Sequence, residues 1–500
     1  MPEIRPNRPT LVLVDPPYYR LYKPSYSLTR YPLSLGYLGA QARSQTDWNV
    51  VVYNADFTPA SEPYQVRYLC GAGFDNYLAR LGDEASPIWR QALSVIMQYR
   101  PDVVGISCKS QTFASGRVLA RLIRKVSPGS CIVVGGPHAA MVGADILQEP
   151  QVDIVVRGEG EQTLVEVLRA IESGSDLAGV AGIAFRRDGR IVQTPDRPLR
   201  EDLDSLPWPH SAAAQSLHDY EQYPAQAFSH VFATRGCPYN CFFCGSRNVW
   251  GRRVRFRSAG NVVEELKSLQ AMGVRRAHFD DDTFGVRRPY IDELCGLIAR
   301  RCPGLRWSCE LHVNLIDDET VEQMARAGCE SIQLGIESGN DEVLRQIRKG
   351  FGIERAVAAA DTIRRHGIRV QAFFMVGFPQ ETEGTLADTV AAMRRIRGIL
   401  SYSIFTPYPG TEAFEHCRSR GLVDEAFDPA RFNHQSPANC FCEHIAPERF
   451  RALVARIERM VDRNNFPGPL RQLLSRQMTV REALRKAWTR IDNLQLTIDN

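Results

Sequence analysis

Apolar residues recur along this chain in two alternating patterns. Short, continuous runs rich in Val, Ile and Leu mark strands buried on both faces, and between them apolar positions return every three or four residues, as on amphipathic helices. Thr10-Leu-Val-Leu-Val14 opens the series and leads through a Pro- and Tyr-rich loop into a helix near Leu33 to Ser44. Further strands are predicted at Asn49–Ala55, Asp102–Cys108, Ser130–Val134 and Asp153–Val156, with helices near Pro87–Gln98, Ala114–Val126, Ala139–Leu147 and Glu161–Ser173. This alternation predicts an α/β fold that begins with a Rossmann-like, doubly wound parallel sheet.

Gly182 to Thr194, with Asp188-Gly189 between two alternating runs, reads as a β-hairpin, and the Pro-containing stretch Arg197–His210 as a linker. A second βα series follows. Its strand-like runs are His230–Thr234, Arg276–Phe279, Arg306–His312, Ser331–Ile336, Val370–Val376 and Tyr402–Thr406. The intervening helical patterns are Asn261–Met272, Tyr290–Arg301, Asp318–Ala327, Asp341–Arg348, Ile353–His366 and Thr385–Arg395. Such units predict an open (β/α)6 barrel with functional loops at its C-terminal face. From about Asp428 the chain reads as helical and basic. The expected segments are therefore 1–178 (first sheet), 179–225 (hairpin and linker), 226–427 (barrel) and 428–500 (helical).

Composition narrows the class only modestly. Five hundred residues, 44% hydrophobic and 24% charged, with a formal net charge of +4, suit a globular protein and do not point to a polyanionic partner. No apolar run is long enough for a membrane span, and the N-terminus lacks a signal-peptide core. Thirteen cysteines, an odd and uneven set, do not resemble a secreted disulfide framework, so the expected compartment is the cytoplasm.

Three of those cysteines carry the most chemistry. Cys237, Cys241 and Cys244, in Arg235-Gly-Cys-Pro-Tyr-Asn-Cys-Phe-Phe-Cys-Gly245, have the spacing C-x3-C-x2-C on one loop. A loop of this kind can ligate three irons of a cubane cluster and leave the fourth for a small molecule. The alternatives are a zinc knuckle, with His230 or His278 as the fourth ligand, or three buried thiols.

This stretch resembles the cluster motif of the radical S-adenosylmethionine (SAM) enzymes, and the resemblance extends over about Ser229 to Gly410. It implies a [4Fe-4S] cluster held by Cys237, Cys241 and Cys244, SAM on the open iron, and Phe243 near the adenine. It also implies that Asp281 and Asp282, in Phe279-Asp-Asp-Asp-Thr-Phe284, approach the amino group of SAM; the alternative reading is helix-capping aspartates. Glu337 and Ser338, in Gly335-Ile-Glu-Ser-Gly339, are implied near the ribose and methionine parts, although Ser338 also reads as a cap for Asn340 onward. Phe374 to Pro379 suits an adenine wall or plain core, and Tyr408 faces substrate or cobalamin. Arg252, Arg253, Arg255 and Arg257 read as a solvated face, or as contacts to an anionic substrate, the corrin or SAM; Cys440-Phe-Cys442 is a weak thiol signal.

Ligands of doubly wound sheets sit at the carboxyl ends of the strands. Three loops occupy those ends: Asp15-Pro-Pro-Tyr-Tyr19, Gly135-Gly136-Pro-His138 and Arg157-Gly158-Glu159-Gly-Glu161. As a set, with Arg30-Tyr-Pro-Leu-Ser-Leu-Gly-Tyr-Leu-Gly39, they resemble the cobalamin-binding domain of the B12-dependent (class B) radical SAM enzymes. Asp15, Gly135, Gly136, His138, Gly158 and Glu159 are accordingly expected at the cobalamin. The D-x-H-x-x-G motif is absent, so no histidine from that motif is expected on cobalt, and His138 reads as a loop residue near the nucleotide tail.

The resemblance implies methylation of an unactivated carbon of a small molecule, by way of methylcobalamin and a 5'-deoxyadenosyl radical. Oxidative cyclisation, rearrangement or epimerisation, RNA methylthiolation, and a non-catalytic cobalamin or cluster sensor remain as alternatives. An external electron donor such as flavodoxin or ferredoxin is implied, and no nucleic acid is expected.

Overall fold

The computed structural model describes residues 2–62, 66–424 and 428–465. The first unit is a seven-stranded sheet. Its strands are β1 (Thr10–Asp15), β2 (Asn49–Asn54), β3 (Val103–Ser107), β4 (Cys131–Gly135), β5 (Ile154–Val156), β6 (Ile183–Arg187) and β7 (Arg190–Gln193), in the order β2-β1-β3-β4-β5-β6-β7. The first five run parallel, with helices on both faces. The predicted hairpin is β6–β7, and it continues this sheet by pairing antiparallel with β5, so the sheet extends beyond 178. The helix expected at Ala139–Leu147 breaks into Pro137–Val142 and a 3-10 segment, Gly143–Gln148, because Gly143 takes φ +60°. The Arg197–His210 linker is packed down: Leu203 and Leu206 are buried with Leu33 and Tyr37.

The second sheet is the open barrel. Its strands β8 (His230–Val231), β11 (Arg276–Phe279), β12 (Arg306–Leu311), β13 (Cys329–Glu337), β14 (Arg369–Val376) and β15 (Ile399–Ile404) pair parallel in the order β15-β14-β13-β12-β11-β8. Between β8 and β11 lies a small antiparallel pair, β9 (Thr234–Arg235) with β10 (Arg255–Phe256). The first barrel strand is shorter than its apolar run predicts, for a reason given below.

Period-two alternation gives the barrel two different faces. Ala277, Phe279, Trp307, Cys309, Ile332, Leu334, Val370 and Ala372 are buried against the surrounding helices. The opposite, lumen-facing set remains open to solvent to varying degrees and is largely polar, and this set lines the space where chemistry takes place.

Beyond the last strand, residues 428–446 form turns rather than the expected helix. Their polar side chains are used locally: Asn439 donates to Thr406 Oγ1 (2.6 Å) and Gln435 accepts from the Tyr18 hydroxyl (2.6 Å), tying the segment to both sheets. A helix follows at Pro447–Asn465; the remaining helical expectation lies outside the described residues.

Candidate cofactor site

The cysteine loop exists because β8 ends early. Asp281, just after β11, accepts at Oδ1 from the backbone N–H groups of Ala233 (2.8 Å) and Thr234 (2.9 Å), which draws the chain out of β8 and into β9. Gly236 then turns with φ +102°, where a Cβ would stand 2.5 Å from the Arg253 carbonyl oxygen, so the turn requires glycine. Cys237, Cys241 and Cys244 follow, all half-buried and unbridged. Burial pushes Cys237 up to about 11 and Cys244 up to about 12, and raises Cys241 as well.

The thiols are not spaced for a single ion. Among the described residues, the one group of three metal-ligating atoms within 4.8 Å of each other is His230, His278 and Asp280. Tetrahedral zinc at about 2.3 Å from sulfur requires sulfurs about 4 Å apart. The wider spread and the shared loop fit a multinuclear cluster, which would take the sulfurs as thiolates.

Around this loop the structure separates the predicted residues. Asp282 lies beside the Gly236 N–H and Ser246 and close enough to Cys237 and Cys244 to affect them electrostatically; burial raises its own pKa. Asp281 is instead a strand pin, 1% exposed, and burial pushes it up to about 7. Glu337 sits at φ +71°, where the register between β13 and β14 slips, and receives Lys349 Nζ at 3.2 Å. A non-glycine residue in that region stores about 1–3 kcal/mol of strain. Burial disfavours the Lys349 charge, but Glu337 and then Cys241 outweigh it and raise its pKa. Lys349 also stands 6.0 Å from the Phe243 ring. Ser338 is fully buried; its hydroxyl pairs with Thr389 Oγ1 (3.3 Å) and accepts from the Asn340 N–H (3.2 Å), so it is used within the strand-to-helix turn, where Asn340 is the N-cap.

The first sheet presents its strand ends to this loop. Gly136 takes φ +94°, and a Cβ there would lie 2.9 Å from both the Cys108 carbonyl and Ser107 Oγ. The helix Pro137–Val142 starts immediately afterwards, and its Met141 side chain packs so closely that a Cβ on Gly245, the residue after Cys244, would meet Met141 Sδ at 2.6 Å. Gly135 and Gly158 show no such crowding. Asp15 ends β1; burial raises it, with Lys109 and Arg30 working the other way. His138 is turned into the wall, 2% exposed, with Nδ1 3.0 Å from Ser110 Oγ and its ring on Phe113; burial lowers it to about 4, which keeps it neutral.

Two expectations are corrected here. Glu159 does not face a cofactor: its carboxylate receives Arg235 (2.8 Å), Arg255 (2.9 Å to each oxygen) and the Arg200 N–H (2.8 Å). Glu161 takes the other arm of Arg235 at 2.6 Å. Arg255 and Arg257 are likewise neither a solvated face nor cofactor contacts, since each is 4% exposed and Arg257 pairs with the fully buried Glu265. The sequence assigns no role to Lys349, nor to Arg235 and Arg30 individually, although the last two stand in stretches it singles out. Arg235 opens the cysteine stretch, whereas Arg30 meets its partner Asp280, and Lys349 its partner Glu337, only through the fold.

Comparison with known proteins agrees with this architecture. A B12 binding domain model matches residues 26–168, and a Radical SAM superfamily model matches 231–393. An uncharacterised methyltransferase of Pyrococcus horikoshii is 28% identical over 83% of this chain and 84% of its own. The anaerobic magnesium-protoporphyrin IX monomethyl ester cyclase of Rubrivivax gelatinosus is 27% identical over 76% of this chain and 70% of its own. The solved radical SAM methyltransferase TsrM of Kitasatospora setae, with cobalamin and a [4Fe-4S] cluster bound, shares the fold, with a TM-score of 0.67 at 18% identity over 91% of this chain and 89% of that one. With both domains present in chain order, this chain belongs to the cobalamin-dependent radical SAM enzymes, and its cofactors are a [4Fe-4S] cluster, SAM and cobalamin.

Proposed function

We propose that the protein methylates an unactivated carbon of a small-molecule metabolite. The observation that carries this reading is the approach of the two halves: Met141, five residues past Gly136, lies against Gly245, next to the last cluster cysteine. A reacting carbon held between the strand ends of the first sheet and the barrel lumen is thus within reach of both halves. When bound, the cluster with SAM supplies a hydrogen-abstracting 5'-deoxyadenosyl radical, and cobalamin supplies a transferable methyl group.

The chain's own residues bind and orient. Cys237, Cys241 and Cys244 hold the cluster, and Asp282 accepts from the SAM ammonium. Lys349 is kept charged by Glu337 beside the cysteines, and Phe243 gives an apolar wall. Asp15, Gly136 and Gly158 form the cobalamin side, where Gly136 allows a backbone approach that a side chain would block. Placement and exclusion of water are the protein's contribution. Electrons come from an external donor such as flavodoxin or ferredoxin, and a reducing cytoplasm suits thirteen unbridged cysteines. Among the described residues no helix is long and apolar enough to cross a membrane.

The test needs no substrate. Anaerobically reconstituted protein with cobalamin, SAM and a strong reductant is expected to form both methylcobalamin and 5'-deoxyadenosine. Deoxyadenosine without methylcobalamin would instead favour ring-forming or rearranging chemistry, the reading that the cyclase relative supports. Absence of both would overturn the enzymatic assignment of these residues.

A further inference from the structure

The barrel lumen carries a polar face. Register places it in rungs across the parallel strands, rising toward their C-terminal ends. His278 pairs with His230 on one side and Ser308 on the other, and one step higher Glu310 aligns with Gln333, which aligns with Gln371. Gln371 in turn donates to Ser401 Oγ at 3.2 Å. Glu310 is exposed and the other side chains are half-buried, whereas their neighbours on the helix-facing side are buried. The lumen is therefore an open chamber, unlike a closed βα barrel whose interior is filled by packed branched side chains.

Most charges in the chamber are matched within the protein. Asp280 is paired with Arg30, which reaches across from the first sheet's domain, and its Oδ1 lies 3.4 Å from His230 Nδ1. Burial works against its charge, but the His230 hydrogen bond and Arg30 outweigh that and lower it to about 2. The same Arg30 guanidinium, already seated on Asp280, opposes a dication among His230, His278 and Asp280. Glu337 has Lys349, and Asp282, beside the Gly236 N–H and Ser246, lies against the cluster cysteines, where the function proposed above gives it the SAM ammonium. Glu310 makes no hydrogen bond or ion pair through its carboxyl among the described residues, although it stands in the middle of the sheet, with its side chain exposed to the chamber and no cofactor group assigned to it. Surrounding protein pushes it up to about 7, and its neighbours Asp280, Asp282 and Glu337 add to that rise.

We propose that Glu310 is the substrate-anchoring residue of this chamber and that the substrate is a small polar molecule with a basic nitrogen, whose ammonium the Glu310 carboxylate receives. The proposal rests on the chamber being the reaction site, as in the function proposed above. An ammonium fits where a carboxylate or phosphate does not. It supplies the missing counter-charge and donors, and it returns the raised carboxyl to its ionised form by charge-assisted hydrogen bonding. An anion would face three further carboxylates, and the two arginine or lysine charges nearby are already paired. Gln333 and the Gln371–Ser401 pair then offer neutral hydrogen bonds to the remainder of the molecule.

The test uses holoenzyme and matched probes, each pair an amine and a carboxylic acid on the same alkyl, phenyl or indolyl group. Binding is read from the change in the cob(II)alamin paramagnetic resonance spectrum. Wild type is expected to favour the amine member of at least one pair by tenfold or more; Glu310→Gln should reduce that preference to within about twofold, and Glu310→Lys should reverse it. An absence of amine preference in wild type, including no binding by any probe, overturns the proposal, as does a preference that survives in Glu310→Gln. Product formation by wild type is measured in parallel. Methylcobalamin and deoxyadenosine formed without amine selectivity would refute the anchor and leave the function standing. Selectivity without those products would do the reverse.

Discussion

Replacing Glu159 by Gln removes one charge from a closed, buried network while keeping its volume, which makes it a clean test of how the two halves are held together. Arg235 comes from the start of the cysteine loop and Arg255 from the strand paired with it. Both converge on Glu159 at the entrance to the helix Gly160–Ser173 of the first sheet. With Glu161 the network holds two cations and two anions, all less than a tenth exposed. Arg235 is further packed on Trp250, 4.8 Å from the ring centroid. Burial lowers the Arg235 charge preference, but Glu161 and Glu159 outweigh it and raise its pKa. The substitution leaves one surplus guanidinium charge with no access to water. Breaking one side of a buried ion pair costs about 3–5 kcal/mol.

Anaerobic urea unfolding of the reconstituted protein is expected to show that loss. A second readout separates stability from placement. Deoxyadenosine formation needs only the cluster loop and SAM, whereas methylcobalamin formation needs both halves in register, so the ratio of methylcobalamin to deoxyadenosine should fall in Glu159→Gln. Adding Arg255→Leu should recover part of the stability, because the surplus cation is then removed. An unfolding free energy within about 1 kcal/mol of wild type, the range of an exposed pair, together with an unchanged product ratio would refute the clamp.

Four further outcomes follow from the geometry. Cys237→Ala, Cys241→Ala or Cys244→Ala should abolish the cluster, read as iron and sulfide per chain, and turnover with it, while cobalamin is still retained. Lys349→Met strands Glu337 beside the cysteines and should slow SAM cleavage by about 10- to 100-fold, the range for groups supporting a metal site; an unchanged rate would show the pair to be structural only. Gly136→Ala must place a Cβ 2.9 Å from the Cys108 carbonyl at φ +94°, so equilibrium dialysis should show weakened cobalamin binding with the cluster intact. Asp281 has a folded pKa near 7 against an ordinary value of 3.8, so its contribution to stability is full below about pH 4 and is lost as the pH rises through 7. Thermal unfolding between pH 5 and 8 should therefore decline less steeply in Asp281→Asn than in wild type; a parallel decline would contradict the raised pKa.

What was legible from the sequence, and what was not, divides along the range of the interactions involved. Apolar periodicity located the parallel strands because burial on a sheet is decided by the strand's own pattern. It overextended the first barrel strand, because Asp281, about fifty residues away, captures Ala233 and Thr234. The same cause misassigned Glu159. A Gly-Glu-Gly-Glu turn at a strand end reads as a ligand loop, and nothing local announces that Arg235, 76 residues later, will occupy it. Arg255 and Arg257 read as a solvated face because charge runs usually are, yet their partners Glu159 and Glu265 bury them. The cysteine loop stands out in the sequence because Cys237, Cys241 and Cys244 fall within eight residues of one segment, so the motif that carries the family resemblance is local. The substrate chamber has no such code. Its side chains come one or two at a time from separate strands at alternate positions, and the informative feature of Glu310 is a missing partner, which only the assembled barrel can reveal. Cofactor identity is thus a local property of this chain and substrate choice a distributed one, and relatives that share the cysteine loop need not share a substrate.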